Sequence, residues 1–254
     1  MKYLLDNHSL PLLRSLTFTK SLFAFDFDGT LSPIVNDPLK AQMSSKTRQL
    51  LKTLAAKVQV GVLSGRSLAD LTPKIEINGI LLVGNHGLEG LDSKISTLSS
   101  AARTNQSWKK NILSSLQKII HDNGIFVEDK SYSLALHYRH SRNKIIARKN
   151  LLELATRLSP SPRIIMGKSV INLLPSGAPH KGVALLEMMV KTSSNAALYI
   201  GDDDTDEDVF ALPDERIIGV RIGKKTTSLA QFYLNRQNEI NSVLQYLVNQ
   251  SGEA

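Results

Sequence analysis

An α/β protein is predicted, a doubly wound parallel sheet with an inserted α+β unit, and three observations carry the prediction. Short apolar runs at residues 23–25, 58–63, 79–83 and 197–200 lead into carboxylates, hydroxyls or glycines, with helical segments between most of them. That is the pattern of buried parallel strands whose carboxyl ends carry a site. From Trp108 to Leu173 the order changes to helix, strand, strand, helix, strand, strand. The charge follows the same division: thirteen Lys and Arg stand against four acids between residues 101 and 170, within a chain of net charge +8.

Composition sets the bounds. A chain of 254 residues, 42% hydrophobic and 21% charged, can bury one large core or a core with a smaller insertion. It has no cysteine, so disulfides, thiolate metal sites and a cysteine nucleophile are excluded, and any metal must be held by oxygen or imidazole. Asp6, His8, Pro11 and Arg14 break the apolar content of residues 1–20, which is unlike a secretory signal, and no run reaches membrane-spanning length. The expected location is the cytoplasm.

The first strand is expected over residues 23–28. Asp26 and Asp28 are two apart, so persistent extended geometry would put both carboxylates on one side, where a divalent cation relieves their repulsion. Gly29 allows a sharp turn, and the Thr30 hydroxyl can face an anion. A helix over 45–54 precedes the strand at 58–63, whose tip carries Ser64, a candidate phosphate-binding hydroxyl. Ser67 reads as the cap of the next helix. The run at 79–83 ends in Gly84-Asn85-His86-Gly87-Leu88-Glu89, where His86 is a candidate site residue.

The inserted unit is expected to hold helices over 108–121 and 142–158, strands over 125–128 and 133–138, and a hairpin of 163–166 with 169–173. Glu128 and Lys130 alternate along one strand and share a face. Lys181 opens a helix through 190, followed by the strand at 197–200 and a run of acids from Asp202 to Asp208, better placed for a metal than a random charge run would be. A strand over 217–222 and a helix over 242–249 close the chain. These elements place a core at 1–105 and 178–254, and the insertion at 106–177.

In this order Asp26-x-Asp28-Gly29-Thr30, Ser64, Lys181 and Gly201-Asp202-Asp203 resemble the haloacid dehalogenase (HAD) superfamily, with the insertion similar to its larger α+β cap. The stretches from Asp26 to Ile34, Ser64-Gly65-Arg66, Gly84 to Glu89, Glu128-x-Lys130 before Ser133 to Arg139, and Gly201 to Asp208 further resemble the trehalose-6-phosphate phosphatase family. The resemblance implies an HAD-like core and a phosphorylated disaccharide as substrate. It implies Asp26 as nucleophile and Asp28 as acid and base, with Mg²⁺ held by Asp26, the Asp28 backbone carbonyl and Asp202. Asp206 would orient that shell, while Thr30, Ser64 and Lys181 would cradle the phosphoryl group. Glu128, Lys130 and His86 would meet the sugar. Asn172 stands where the family carries a cap glutamate, and it can still hydrogen-bond sugar hydroxyls.

Other readings remain. Phosphatases of sucrose-phosphate or glucosylglycerate type share the motifs, and a phosphosugar mutase would use Arg139 and Arg142 for a second phosphate. A non-catalytic basic module for nucleic acid would use the central charge, but the segment carries no recognised nucleic-acid motif. Neither a nucleic-acid nor a membrane partner is expected, and a monomer is compatible with the reading.

Overall fold

The computed structural model describes residues 1–91, 93–119 and 124–251, and the chain divides into two units, Met1–Gly87 with His180–Ala254, and Leu88–Pro179. From the sequence alone these boundaries are expected at 105/106 and 177/178.

The first unit contains β1 (Lys2–Tyr3), α1 (Leu10–Thr17), β2 (Ser21–Phe25), α2 (Ser45–Ala55), β3 (Gln59–Leu63), α3 (Leu68–Ile75) and β4 (Ile80–Gly84). The second runs through β5 (Glu89–Gly90), α4 (Ile95–Ile119), β6 (Phe126–Asp129), β7 (Leu134–His137), α5 (Lys144–Thr156), β8 (Pro162–Gly167) and β9 (Val170–Pro175). The chain then returns to the first unit with α6 (Lys181–Thr192), β10 (Ala196–Gly201), α7 (Glu207–Phe210), β11 (Ile217–Ile222), β12 (Phe232–Leu234) and α8 (Ile240–Gln250).

In the first unit the strands lie in the order β1-β12-β11-β10-β2-β3-β4. Every pair among them is parallel. The chain moves from β2 outward through β3 and β4 on one side, and returns as β10, β11 and β12 on the other. The reversal therefore falls between β10 and β2, where open parallel sheets leave a crevice beyond their strand ends. Strand β2 is buried along its whole length, as a strand covered on both faces must be. Phe23 and Phe25 from β2, Val60 and Val62 from β3, and Leu198 and Ile200 from β10 share one core with Leu51, Leu54 and Leu244. Ser44 caps α2 by accepting from the Thr47 N–H at 3.0 Å. Ser67 caps α3 by accepting from the Asp70 N–H at 3.3 Å, the role its position suggested.

The second unit is an antiparallel sheet of order β6-β7-β9-β8. Leu134, Leu136, Ile171 and Leu173 project from one face into a core shared with Trp108 and Ile112 of α4 and Leu151 of α5. Helix α4 starts at Ile95, ahead of the expected 108; the predicted end at His121 lies outside the described residues. Asp129 holds this helix to the strand. Its carboxylate accepts from Asn105 Nδ2 at 2.7 Å, Lys109 Nζ at 2.9 Å and the Ser131 N–H at 2.9 Å. Partial burial works against that charge, yet the three donors leave the carboxyl below its ordinary range. Asp129→Ala is therefore expected to destabilise the protein by about 1–3 kcal/mol in denaturant titration. Because the folded value is the lower one, this contribution is present at neutral pH and fades as pH falls through it.

Candidate active site

Four strand ends of the first unit supply the candidate residues. Strand β2 stops at Phe25, and the Asp26 N–H continues the ladder by donating to Ile200 O at 2.8 Å. Asp26 is thus fixed by the sheet itself. Asp202 follows β10, Ser64 follows β3 and His86 follows β4. Lys181 is the first residue of α6, whose N-cap His180 accepts from the Gly182 N–H at 3.2 Å.

Asp26, Asp202 and Asp206 are buried, with one ligand atom of each lying within 4.8 Å of the others. The Lys181 ammonium donates to Asp26 Oδ1 and Asp206 Oδ1, both at 2.7 Å. Asp206 Oδ1 also accepts from the Tyr199 hydroxyl at 2.6 Å, and Oδ2 from the Asp203 N–H at 2.8 Å. Both oxygens of Asp206 are thereby oriented by the protein. Gly29 lets the two loops approach: its φ is +84°, and a Cβ there would overlap the Asp202 carboxylate.

Three buried carboxylates crowd together, two of them bonded to one ammonium. Burial pushes the Asp26 carboxyl well up, helped by Asp206 and Asp202 and opposed by Lys181. Asp206 also suffers burial, but Lys181 and the Tyr199 hydroxyl bring it below its ordinary value. Oxygen donors at this spacing and charge fit a divalent cation, which takes carboxylates in preference to other side chains. A second feature fits an anion. The Thr30 hydroxyl oxygen is buried with no hydrogen-bond partner among the described residues, and an ester oxygen would satisfy it.

The Asp28 carboxylate lies outside the cluster. Extended geometry ends at Phe25, so the shared side expected for Asp26 and Asp28 is not realised, and Asp28 turns to a guanidinium instead. Arg66 Nε donates to Asp28 Oδ2 and Nη2 to Oδ1, both at 2.7 Å. Arg66 also bonds the Asp70 carboxylate through Nη1, donates to Pro38 O at 2.7 Å, and lies over the Phe27 ring at 5.5 Å. Burial opposes the Arg66 charge, but the two aspartates hold its pKa above the ordinary value. Asp28 remains about one-third exposed, which leaves it access to water.

Ser64 is buried, and its hydroxyl accepts from the Arg66 N–H at 3.2 Å. The ring of His86 occupies the space a Cβ would take at Gly65, and the His86 N–H donates to Ser64 O at 3.0 Å. Ser64 and His86 therefore share one turn. Arg221, buried behind the acidic loop, donates from Nη1 to Asp203 O and to Glu207 Oε1, each at 2.9 Å. Counter-charge in the acidic run is shared: Arg221 meets Glu207, Lys225 meets Asp204 and Lys181 meets Asp206.

In the second unit Glu128, Lys130 and Asn172 come together. Lys130 Nζ stands 4.0 Å from Glu128 Oε2 and donates to Asn172 Oδ1 at 3.4 Å. His137 Nε2 lies 2.8 Å from Glu128 Oε2. Arg66, Tyr199 and His137 are not among the site residues expected from the sequence. For Arg66 a signal was available, a cation one turn from Asp70 and two residues after a strand-end hydroxyl.

A parallel sheet with acidic strand ends, a lysine on the helix opposite and a separate α+β unit inserted in the chain defines a haloacid dehalogenase-type protein. The profile of the trehalose-phosphatase family matches residues 24–236, and the chain belongs to that family. It is 35% identical over 214 residues to a trehalose-phosphate phosphatase of Mycobacterium tuberculosis, covering 80% of this chain and 54% of that one. The chain thus spans about half the length of the curated relatives it matches. The solved trehalose-6-phosphate phosphatase of Aspergillus fumigatus is 26% identical with a TM-score of 0.61, covering 98% of this chain and 99% of that one. The C-terminal domain of the Candida albicans trehalose-6-phosphate phosphatase, 21% identical, shares the fold with a TM-score of 0.73 over 94% and 96% of the two chains. No described helix is long and apolar enough to cross a membrane.

Proposed function

We propose that this chain hydrolyses trehalose 6-phosphate to trehalose and inorganic phosphate, with Asp26 as nucleophile. The observation that carries the reading is the buried Asp26, Asp202 and Asp206 cluster with Lys181 bonded to two of its members. The substrate is inferred from the names of the relatives and from Glu128, Lys130 and Asn172 on the inserted unit.

An Asp26 oxygen attacks phosphorus as the bond to the sugar oxygen breaks, dividing one slow displacement into two easier steps. Asp28 gives the departing oxygen its proton, then takes one from the water that displaces Asp26 from phosphorus and restores its carboxylate. Its partial exposure suits that exchange, and Arg66 holds it in place between steps. Thr30 and Ser64 donate hydroxyl hydrogen bonds to the phosphoryl oxygens, and Lys181 supplies a fixed positive charge beside them. Asp26, Asp202 and the Asp28 main-chain carbonyl would hold Mg²⁺, with Asp206 orienting Lys181 and the acidic loop. The bound ion would neutralise charge on the nucleophile and on the phosphoryl oxygens. His86 meets the substrate from the Ser64 turn. Cytoplasmic, monomeric operation in trehalose biosynthesis completes the proposal.

Asn172 favours a second reading within the same chemistry. Without a second carboxylate on the cap face, another phosphorylated disaccharide, of sucrose or glucosylglycerate type, is the nearest rival. Phosphate release from trehalose 6-phosphate, sucrose 6-phosphate, glucose 6-phosphate and mannose phosphates decides between them. Trehalose 6-phosphate is expected to react fastest, and EDTA to slow it by on the order of 10³-fold, reversed by added Mg²⁺. Faster release from another sugar transfers the mechanism to that substrate, and release indifferent to EDTA contradicts the metal assignment.

A further inference from the structure

On the basis of the function proposed above, we propose that Phe126 and His137 form an aromatic platform on the inserted unit that receives a pyranose ring of the substrate's leaving group. Strand alternation places them. Leu134, Leu136, Ile171 and Leu173 face the core, so His137, Phe126, Glu128 and Asn172 share the opposite face through the pairs Phe126↔His137, Glu128↔Ala135 and Ala135↔Asn172.

On that face Phe126 is 64% exposed, at a position where binary patterning calls for a polar residue. Its ring lies 5.9 Å from the His137 imidazole with an interplanar angle of 34°. The same imidazole meets the Glu128 carboxylate at 2.8 Å, and Lys130 reaches Asn172 at 3.4 Å. One sheet face thus sets an exposed apolar ring beside a part-exposed carboxylate, with a nearly buried ammonium and a buried amide next to it. A pyranose has the matching character, with a patch of C–H bonds on one side and hydroxyls around the rim. Seated over Phe126, it turns its rim toward Glu128 and Lys130. Sugar sites combine apolar aromatic contact with a few polar groups that fix orientation, and the His137 contacts lock the two parts together.

The test is steady-state kinetics on trehalose 6-phosphate with Phe126→Ala, Phe126→Leu and Phe126→Tyr. Loss of an aromatic contact is expected to raise KM about tenfold for the alanine variant. The leucine variant, apolar but without a flat face, is expected to show a raised KM as well, and the tyrosine variant a KM near that of the unmodified chain. In each case kcat is expected to change less than KM. Should the alanine variant fail to fold, the leucine and tyrosine pair makes the same decision. An unaltered KM in the leucine variant overturns the platform, as does a tyrosine variant no better than leucine. If the unmodified protein releases no phosphate from any sugar ester, the proposed function and the platform fall together, and that outcome is seen before any variant is compared.

Discussion

Lys181→Met is expected to lower stability by about 3–5 kcal/mol, because it leaves Asp26 and Asp206 buried without the ammonium they share. At about 2–4 °C per kcal/mol for a chain of this size, the midpoint falls by roughly 6–20 °C in a thermal scan. Among the described residues Lys181 is the one cation bonded to Asp26 and Asp206, so removing a single side chain takes away their bonded counter-charge. Two further outcomes separate this cause from a mere packing defect. Millimolar Mg²⁺ is expected to recover part of the lost stability, since the cluster gains its counter-charge by another route. The deficit is also expected to shrink toward acid pH: Lys181 is what holds Asp206 down and opposes the rise of Asp26, so in its absence burial raises both, and a carboxyl whose folded pKa is raised contributes stability below its unfolded value and loses it as pH rises through the folded one. A midpoint unchanged by either Mg²⁺ or acid contradicts the electrostatic account.

Asp26→Asn acts in the opposite sense on stability and is expected to reduce phosphate release by about 10⁴-fold or more, as loss of a covalent nucleophile does. The amide keeps an oxygen for Lys181 and removes one of the three crowded negative charges. Because burial raises the Asp26 pKa in the fold, its ionised form costs stability at neutral pH. The variant is therefore expected to melt at or above the temperature of the unmodified protein. Activity and stability moving apart is the behaviour of a group strained for function. A destabilised asparagine variant with substantial residual turnover would place the nucleophile elsewhere.

Much of this arrangement was legible before any coordinate. Asp26, Ser64 and Asp202 each follow an apolar run that can only be a buried strand, and β10, β2 and β3 are neighbours in the sheet. Lys181 follows a Pro-containing loop and opens an apolar helix, which aims it at the same strand ends. The direction of the Asp28 carboxylate was not legible, because it depends on where β2 stops. Extended geometry carried through Phe27 would have kept Asp28 with Asp26; the chain turns from Phe27, where the carbonyl accepts from the Ser32 N–H at 2.8 Å, and Asp28 meets Arg66 instead.

Other features needed tertiary partners to appear. Strands β1 and β12 are two and three residues long, too short for an alternation to register, and exist by pairing Lys2 with Phe232 and Tyr3 with Tyr233. The first turns of α4 are rich in Ser and Thr, residues that compete with helix formation locally, so a pattern-based start at Trp108 misses Ile95. The Tyr199 bond to Asp206 joins a core strand residue to the acidic loop. Periodicity marks Tyr199 as buried and says nothing of its hydroxyl. His137 likewise reads as one more residue of an apolar strand until its contacts with Glu128 and Phe126 are seen.

The most direct test is to mix the protein with trehalose 6-phosphate labelled in its phosphoryl group, quench in acid within the first turnover, and map the label on peptides. Label bound as a hydroxylamine-sensitive acyl phosphate on the peptide carrying Asp26, and absent from Asp26→Asn, is the predicted result. Phosphate released at full rate with no covalent label, or with label on a residue other than Asp26, would contradict it.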